Sequence, residues 1–547
     1  MHVLQKNNPE SVCVRKMITF ACCIFMSEKN LTGRLRFPSH IGVIYAMLMA
    51  AILLLLCLRS RFPRAAGYYL MPEIGGSYLP LLLLGVAALG ALYLFCRLLF
   101  RNARRCKAVA VVTGLLFLLI QLFLIYGYYF ETDWDVQQLV GAARASAAGD
   151  GEALQGYSWY FSECPNNLFL TGIFALVFKI CGLFGLQGLF PLLVLQCLSG
   201  TVVSWMLFQT LCRACDVPTA FFGQLLFLIF VGLSPWFSIP YSDTASLLFI
   251  MGIVWLAMTS VLSRRPRLKW LLLALLAGVG YAVKPQTLLV FIALLPFCWP
   301  RSGNNVVFSL RGKKRSAALP LLLAGFVSAC LLAAVVGKST GIPYHKEPAF
   351  GTTHYLLIGM NSRTMGDYAP EDVEFSRSYS TRIARAKAEL QESGRRLKAM
   401  GMSGFFRHLC EKTVLTYGDG TFSWGKEGTF FDTLFPEKGK PFAGFSRKVY
   451  YTREYGGAYY PLFCLVSLVF WLGILFWSVV GGLIGRDPLT NALCLALLLL
   501  AVFEILFECR ARYLFGFTPL YLMCASMAFF RAKNNIKIEK VGFVLKK

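Results

Sequence analysis

Residues 108–130, AVAVVTGLLFLLIQLFLIYGYYF, are apolar and uncharged, and the acidic stretch Glu131-Thr132-Asp133-Trp134-Asp135 follows directly. A segment of about 20 apolar residues is long enough to cross a bilayer. Carboxylates gathered where a span meets water can accept protons or bind cations, and they border on lipid. The alternative is an acidic outer loop without a chemical role. The stretch therefore predicts a membrane span that leads into a candidate site.

Composition extends this prediction to the whole chain. Of the 547 residues, 57% are hydrophobic and only 15% are charged, and the mean hydropathy is +0.59. A soluble protein carries about 25% charged residues. Long apolar runs recur as far as residue 530, so the bilayer dominates the fold. The sequence predicts an all-α, polytopic helical membrane protein.

The net charge of +26 is concentrated in short basic connectors and in the C-terminal tail. Lys and Arg cluster at residues 97–107, 264–269, 311–315 and 531–547. Such clusters mark cytoplasmic loops under the positive-inside rule and attract anionic lipid head groups. We therefore predict membrane lipids as partners and no nucleic acid.

Thirteen apolar segments are candidate spans. They cover residues 41–58, 79–96, 108–130, 167–184, 189–211, 219–238, 244–262, 270–283, 287–299, 317–336, 460–484, 490–508 and 513–530. With the basic connectors in the cytoplasm, residues 131–166 and 337–459 lie outside. An odd number of crossings must then separate Asp135 from Arg264, yet four segments lie between them. One of these four is therefore not a full crossing.

Segment 167–184 is the best candidate for the non-crossing segment, because it is short, follows Pro165 and contains Lys179. If it is re-entrant or lies along the outer interface, twelve spans remain and both termini are cytoplasmic. Three basic residues in an outer loop then violate the positive-inside rule: Arg59, Arg61 and Arg64.

These assignments divide the chain into five parts. They are a cytoplasmic N-terminus with two accessory spans (1–107), a membrane core with a catalytic outer loop at 131–166 (108–336), an extracytoplasmic loop domain (337–459), C-terminal spans (460–530) and a basic cytoplasmic tail (531–547). In the loop domain, Pro370-Glu371-Asp372 predicts the start of a helix that runs through residues 381–400 and stops near Gly401. A second, amphipathic helix is predicted over residues 403–416.

Cofactor motifs are not apparent in the sequence. Cys212-Arg213-Ala214-Cys215 has no second pair for zinc, the five histidines have no metal-ligand spacing, and no nucleotide-binding glycine motif opens a helix. We predict no cofactor, and a divalent metal beside the carboxylates stays open.

Placing a charged side chain within or next to a membrane span costs free energy, so each such residue is a candidate for a functional role. Asp243 opens an apolar run, where it either caps a helix or forms part of a site. Lys284 precedes Pro285 between two short apolar segments, where it either snorkels or meets an anion. Arg510 and Arg512 lie between the last two spans. They suit bidentate binding of a phosphate, and the alternative is an interfacial ion pair.

Together these features resemble the GT-C superfamily of membrane glycosyltransferases, in particular bacterial relatives of the dolichyl-phosphate-mannose protein mannosyltransferases (glycosyltransferase family 39). The similarity lies in an outer acid after a span (Asp133, Asp135), an alanine-rich stretch with Gly149 and the aromatic–proline segment 160–165, then Pro240-Tyr241-Ser242-Asp243 and Arg512-Tyr513 with Pro519. Two extra spans and the loop 337–459 depart from the family pattern and leave the acceptor open.

The resemblance implies an inverting hexosyltransferase on the outer face of a bacterial cytoplasmic membrane. It would move a sugar from a polyprenyl-phosphate donor to an extracytoplasmic acceptor: a cell-envelope glycan, a lipid or a protein. Asp133 or Asp135 fits the general base, with Asp133 favoured. The predicted substrate-binding residues are Asp243, Lys284, Glu508, Arg510, Arg512, Tyr513 and Asn166. The alternative function is a transporter or flippase of a lipid-linked glycan.

Overall fold

The fold is taken from a computed structural model that describes residues 40–66, 77–100, 103–186, 188–259, 262, 265–298, 318–428, 431–433 and 443–544. In this part of the chain, nine helices are long and apolar enough to cross a membrane, and four shorter apolar helices accompany them. Together they match the thirteen predicted segments, so the protein is an all-α polytopic membrane protein. The predicted N-terminal cytoplasmic segment and the basic connector at 311–315 lie outside the described residues.

The membrane part and the outer loops contain most of the helices. They are α1 (Ile41–Cys57), α2 (Pro63–Ala66), α3 (Leu79–Leu99), α4 (Ala103–Tyr128), α5 (Asp135–Ala148), α6 (Gly151–Gln155), α7 (Ser158–Glu163), α8 (Leu168–Gly182), α9 (Phe190–Ala214), α10 (Val217–Phe227), α11 (Ser242–Met258), α12 (Pro266–Val283), α13 (Thr287–Cys298) and α14 (Ala318–Lys338). The rest are α15 (Thr352–Gly359), α16 (Pro370–Arg377), α17 (Arg382–Tyr417), α18 (Ala443–Tyr450), α19 (Tyr460–Ile484), α20 (Pro488–Leu506) and α21 (Thr518–Val544). The strands are β1 (Glu131–Thr132) and β2 (Phe431–Thr433).

One end of the bundle carries basic connectors and their ion pairs. Arg97, at the end of α3, lies 2.8 Å from Asp216, which precedes α10. Arg531 of α21 pairs with Asp487, which precedes α20. Lys269, in the first turn of α12, donates to backbone carbonyls at the end of α11. The positive-inside rule assigns this end to the cytoplasm.

Helix α8 begins and ends at the opposite, outer end of the bundle. Arg144 forms two hydrogen bonds, of 2.7 and 3.0 Å, with Glu131, which follows α4 directly, and its guanidinium lies 5.7 Å from the ring of Phe178 near the end of α8. Phe190, the first residue of α9, packs 5.3 Å from the ring of Tyr126 at the outer end of α4. Although α8 is long and apolar enough to span, these contacts agree with the parity argument, and twelve crossings stay the prediction.

We expect cysteines placed at Gln155, Leu183 and Gly394 to react with a membrane-impermeant maleimide in intact cells. Gln155 and Gly394 lie in the predicted outer regions. Leu183 follows α8, so its labelling in intact cells distinguishes a helix that returns to the outer side from one that crosses the membrane. Thiol labelling on a cysteine-depleted background measures this. A cysteine at Arg486, between α19 and α20, should react only after permeabilisation. Protection of Leu183→Cys until permeabilisation would show that α8 crosses.

One of the three arginines that violate the positive-inside rule, Arg64, is held by the loop domain. Arg64 in α2 donates from Nη2 to the carbonyls of Ser362 and Arg363 at 2.9 and 2.8 Å. Its Nη1 lies 3.9 Å from the carboxylate of Glu411 in α17. These acceptors compensate the charge outside the membrane, which explains why this outer loop tolerates it.

The helix boundaries predicted in the loop domain are partly wrong. The helix that begins at Pro370 ends at Arg377, and α17 starts anew because the Thr381 side chain accepts a hydrogen bond from the Ala384 amide. The range α17 reaches Tyr417, but Gly401 inside it has non-helical backbone angles, with a φ of 61° and a ψ of −178°. Two helical segments therefore meet at a kink at Gly401, which confirms the predicted stop there and the second helix after it.

Helices near both ends of the described chain complete the bundle. The last helix, α21, continues past residue 530 to Val544, so the predicted tail is largely helical. The two accessory spans are packed tightly against the C-terminal ones: a Cβ on Gly85 of α3 would lie 2.2 Å from the carbonyl oxygen of Val469 in α19. The amide of Gly42 in α1 donates to Asn491 in α20 at 3.1 Å.

The loop domain is joined to the acidic outer loop by backbone and ring contacts. Strands β1 and β2 pair antiparallel, with Glu131 opposite Thr433. The indole nitrogen of Trp236 donates to the carbonyl of Thr421 at 3.0 Å, and its ring meets Trp424 edge-on at 5.6 Å. These contacts fix the loop domain over the outer ends of the spans, where the predicted site residues lie.

Candidate functional site

A cavity of about 550 Å³ lies at the outer end of the bundle, between the acidic loop, the span ends and the loop domain. Its polar and charged lining consists of Asp135, Glu163, Asn166, Asn167, Tyr241, Ser242, Lys284, Gln286, Thr352, His354, Arg377, Glu508, Arg510, Arg512 and Tyr513. Aromatic rings fill much of the remaining wall. A half-enclosed space that combines convergent polar groups with apolar walls is typical of a small-molecule site.

Asp135 lies in the cavity wall as the first residue of α5, where the helix dipole favours its negative charge. The hydroxyl of Tyr241 donates to its Oδ2 at 2.9 Å. Burial, together with the charge of Asp135, raises the pKa of Tyr241 well above its usual range, so this phenol stays a donor. Asp133 is exposed and does not belong to the lining, so the geometry reverses the sequence-based preference between the two acids.

Asp243 joins two cations that are far apart in sequence. It is 1% exposed, and its carboxylate pairs with Lys284 and with Nη1 of Arg512, the latter at 2.9 Å. Lys284 follows the last residue of α12, at the break predicted before Pro285. Burial lowers the pKa of Lys284, and the Asp243 carboxylate opposes that shift. Asp243 is the second residue of α11 and the N-cap position belongs to Tyr241, so Asp243 adds its charge to the first turn of the helix but does not cap it.

Arg510 is held by three carboxylates. Its Nη1 lies 2.7 Å from Glu427, and its Nε lies 2.9 Å from Glu508 and 3.3 Å from Asp367. Burial would lower the pKa of Arg510, but the three acids raise it well above its usual range. Tyr513 donates to the second oxygen of Glu508 at 3.1 Å. Arg510 is therefore ion-paired, as one of the two interpretations predicts, and it also faces the cavity, while its binding of a phosphate stays a prediction.

Glu427 connects the two arginines and is not evident from the sequence. Its Oε2 lies 2.7 Å from Nη1 of Arg510 and 2.6 Å from Nε of Arg512. Glu427 and Asp243 lie behind the lining, whereas both arginines and Lys284 belong to it. The carboxylates therefore orient the cations, and the cavity receives the cationic side of the cluster.

The turn that presents Glu427 is strained. Phe422 and Ser423 have φ values of 57° and 63°, in a region that costs a non-glycine residue about 1–3 kcal/mol. Asp419 restrains this turn by accepting from the amides of Thr421 and Ser423 at 2.8 and 2.6 Å. Strain of this kind collects at functional sites when the surroundings enforce it.

The match with known families spans most of the chain. A family model described as "conserved hypothetical integral membrane protein" matches residues 76–533. The chain belongs to this family. No curated protein and no solved structure matches it. The conserved hypothetical integral membrane protein family agrees with a multi-pass membrane location, and the matched range contains the whole cavity.

In this family member, the structure brings eight of the nine predicted site residues into one cluster. They are Asp135, Asn166, Asp243, Lys284, Glu508, Arg510, Arg512 and Tyr513. Asp133 is the exception. Sequence reasoning missed Glu427, Asp367 and His354 of the loop domain, where no span flanks them as a signal. Within the described residues, no group of three or more His, Cys, Asp or Glu side chains is arranged to hold a metal ion.

Proposed function

We propose that the protein is a GT-C-type glycosyltransferase that moves a sugar from a polyprenyl-phosphate carrier to an extracytoplasmic acceptor. The observation that supports this most strongly is one cavity whose lining includes the carboxylate of Asp135 and the cations Lys284, Arg510 and Arg512. Sugar transfer from a lipid phosphate requires these two kinds of group. We place the site on the outer face of a bacterial cytoplasmic membrane.

In the proposed reaction, the acceptor hydroxyl oxygen attacks C1 of the sugar and forms the new glycosidic bond with inversion. Asp135 takes the hydroxyl proton as general base. The bond between C1 and the phosphate oxygen breaks, and its electron pair leaves with the lipid phosphate. Tyr241 holds the Asp135 carboxylate in place through its 2.9 Å hydrogen bond.

The cationic side of the cluster stabilises the charge that develops on the departing phosphate. Arg512 is fixed by Asp243 and Glu427, and Arg510 by Glu427 and Glu508, so neither has to reorganise during the reaction. The planar guanidinium matches two phosphate oxygens, which an ammonium does not. The donor would therefore bind with its phosphate against the arginines.

The apolar wall of the cavity suits the lipid part of such a donor. Tyr281 and Val283 of α12 and Phe503 of α20 line it and belong to helices that cross the membrane. Tyr281 is 42% exposed on the bundle surface. An isoprenoid chain could thus stay in the bilayer beside these helices while its phosphate reaches the cations.

The test is transfer of radiolabelled sugar from undecaprenyl-phosphate-hexose by the purified protein in nanodiscs, with envelope fractions supplied as acceptor. Label that moves from the lipid donor into acceptor, and that depends on Asp135, supports the proposal. Transfer that is absent, or equal in Asp135→Asn and wild type, contradicts it. Movement of the intact lipid-linked sugar between leaflets without transfer would favour the transporter instead.

We expect Glu427→Gln to lower kcat/KM for the donor by about 10–100-fold, because the amide keeps the shape but loses the charge that orients both arginines. Steady-state kinetics with varied donor measures this. Glu392→Gln changes a half-buried loop-domain acid that pairs with Arg395 and Arg396 away from the cavity, so it is the matched control and should keep the wild-type value. Equal kinetics in the two variants would rule out an orienting role for Glu427.

A further inference from the structure

His354 is a buried imidazole in the cavity wall to which the proposed reaction assigns no role. It lies in the first turn of α15, is 3% exposed and lines the cavity. Its ring stacks on Phe350, with centroids 4.1 Å apart and planes 11° apart. The imidazole is therefore held in one orientation by packing.

A hydrogen-bond relay fixes the tautomer of His354. The hydroxyl of Ser376 donates to Oε1 of Glu389 at 2.7 Å, and the hydroxyl of Thr353 donates to Oε2 at 2.5 Å. Nδ1 of His354 lies 2.7 Å from the same Ser376 hydroxyl oxygen. Because the hydroxyl has given its only proton to the carboxylate, it accepts from an Nδ1–H, and in the neutral form of the ring this tautomer leaves the lone pair on Nε2.

The ionised state of the Glu389 carboxylate agrees with the direction of these hydrogen bonds. Burial favours a higher pKa for Glu389, but the neighbouring His354 side chain and the hydrogen bonds from Thr353 and Ser376 outweigh it and lower the pKa. The carboxylate is then ionised and can only accept.

Nε2 of His354 has no hydrogen-bond partner among the described residues, although the side chain is almost fully buried. The same wall contains Gly351 and Thr352 at the start of α15, where the first backbone N–H groups have no acceptor within the helix. The ring of Trp159, which is 54% exposed, also belongs to the lining. The start of α15 therefore offers Nε2 of His354 as an acceptor together with backbone donors, and the lining of the same cavity also has the aromatic face of Trp159.

We propose that this wall is a subsite for a hydroxyl-bearing sugar ring, with Nε2 of His354 accepting a hydrogen bond from a ring hydroxyl. The subsite rests on the proposed glycosyl transfer and deepens it. A sugar ring presents both hydroxyl groups and an apolar face of C–H bonds, which match the donors, the acceptor and the indole. The ring belongs either to the donor sugar or to a glycan acceptor.

A binding test decides the proposal without any transfer reaction. Diethyl pyrocarbonate, which acylates unprotonated imidazole nitrogen, is applied to the full-length protein in nanodiscs, and peptide mass spectrometry locates the label. We expect His354 to be labelled and a concentration series of methyl hexosides to protect it, while exposed His345 is labelled regardless. No label on His354, or label that no hexoside reduces, would overturn the subsite.

Kinetics then identifies which sugar is bound. We expect His354→Gln to raise KM about tenfold for one substrate, the donor or the acceptor, since the loss of one hydrogen bond weakens binding by about that factor. We expect kcat to change less than about threefold. Ser376→Ala, which releases the tautomer, should raise the same KM more weakly. His345→Gln is the control. Unchanged KM values for both substrates in both variants would overturn the proposal. If the wild-type protein transfers no sugar, the protection of His354 by hexosides still decides whether the subsite exists.

Discussion

Asp135→Asn is expected to lower the rate of sugar transfer by about 10²–10⁴-fold, the usual effect of losing a general base. The amide keeps the size of the side chain, and its oxygen can still accept from Tyr241, so the start of α5 should be preserved. Only the proton acceptor is lost. Single-turnover transfer from a radiolabelled lipid donor measures the chemical step apart from donor binding.

Asp133→Asn is the matched control, because it makes the same change two residues earlier on an exposed side chain outside the lining. We expect it to keep the wild-type rate within about threefold, as is usual for a surface substitution. The opposite ranking of the two variants would show that the working acid is Asp133 and that the loop moves when substrate binds. Near-normal rates in both would remove this site from the mechanism.

Arg512→Lys is expected to lower kcat/KM for the donor by about 100-fold although the charge is kept. The guanidinium reaches Asp243 through Nη1 and Glu427 through Nε at once, and a single ammonium cannot hold both and still face a phosphate. Donor titration in nanodiscs measures this. Arg64→Lys changes another outer arginine, one that pairs with Glu411 away from the cavity, and it should behave as wild type.

Arg512→Ala should be more damaging, and part of its effect should be structural. Removing one member of a buried ion network leaves the others uncompensated, at a cost of about 3–5 kcal/mol. The lysine variant is therefore the sharper test, and thermal unfolding separates the two contributions. Wild-type donor dependence in a folded Arg512→Lys protein would assign phosphate binding elsewhere, with Lys284 the next candidate.

The sequence predicted the spans well because the bilayer imposes one length and one polarity on each of them. Asp243, Lys284 and Arg512 could each be picked out because charge is expensive at membrane depth. Their pairing could not be predicted, since 269 positions separate Asp243 from Arg512. The choice between Asp133 and Asp135 depends on where α5 begins and on which way its first turn faces.

The loop domain was the least predictable part for a related reason. Its residues lie outside the long apolar helices, so no membrane constraint marks those that enter the site. Glu427 looks like any surface acid until the strained turn at Phe422 and Ser423 presents it to the arginines. His354 is one of five scattered histidines until α15 brings it into the cavity wall.

The order of the charged residues along the chain has a consequence for biogenesis. Asp243 and Lys284 are only 41 positions apart, so they can neutralise each other while the ribosome is still making the loop domain. Glu427 and then Arg512 follow as a second pair of opposite charges. These four charges are thus translated as two successive pairs of opposite sign, and the first pair is complete before the second begins. The working site closes only when the final hairpin, α20 and α21, has been inserted.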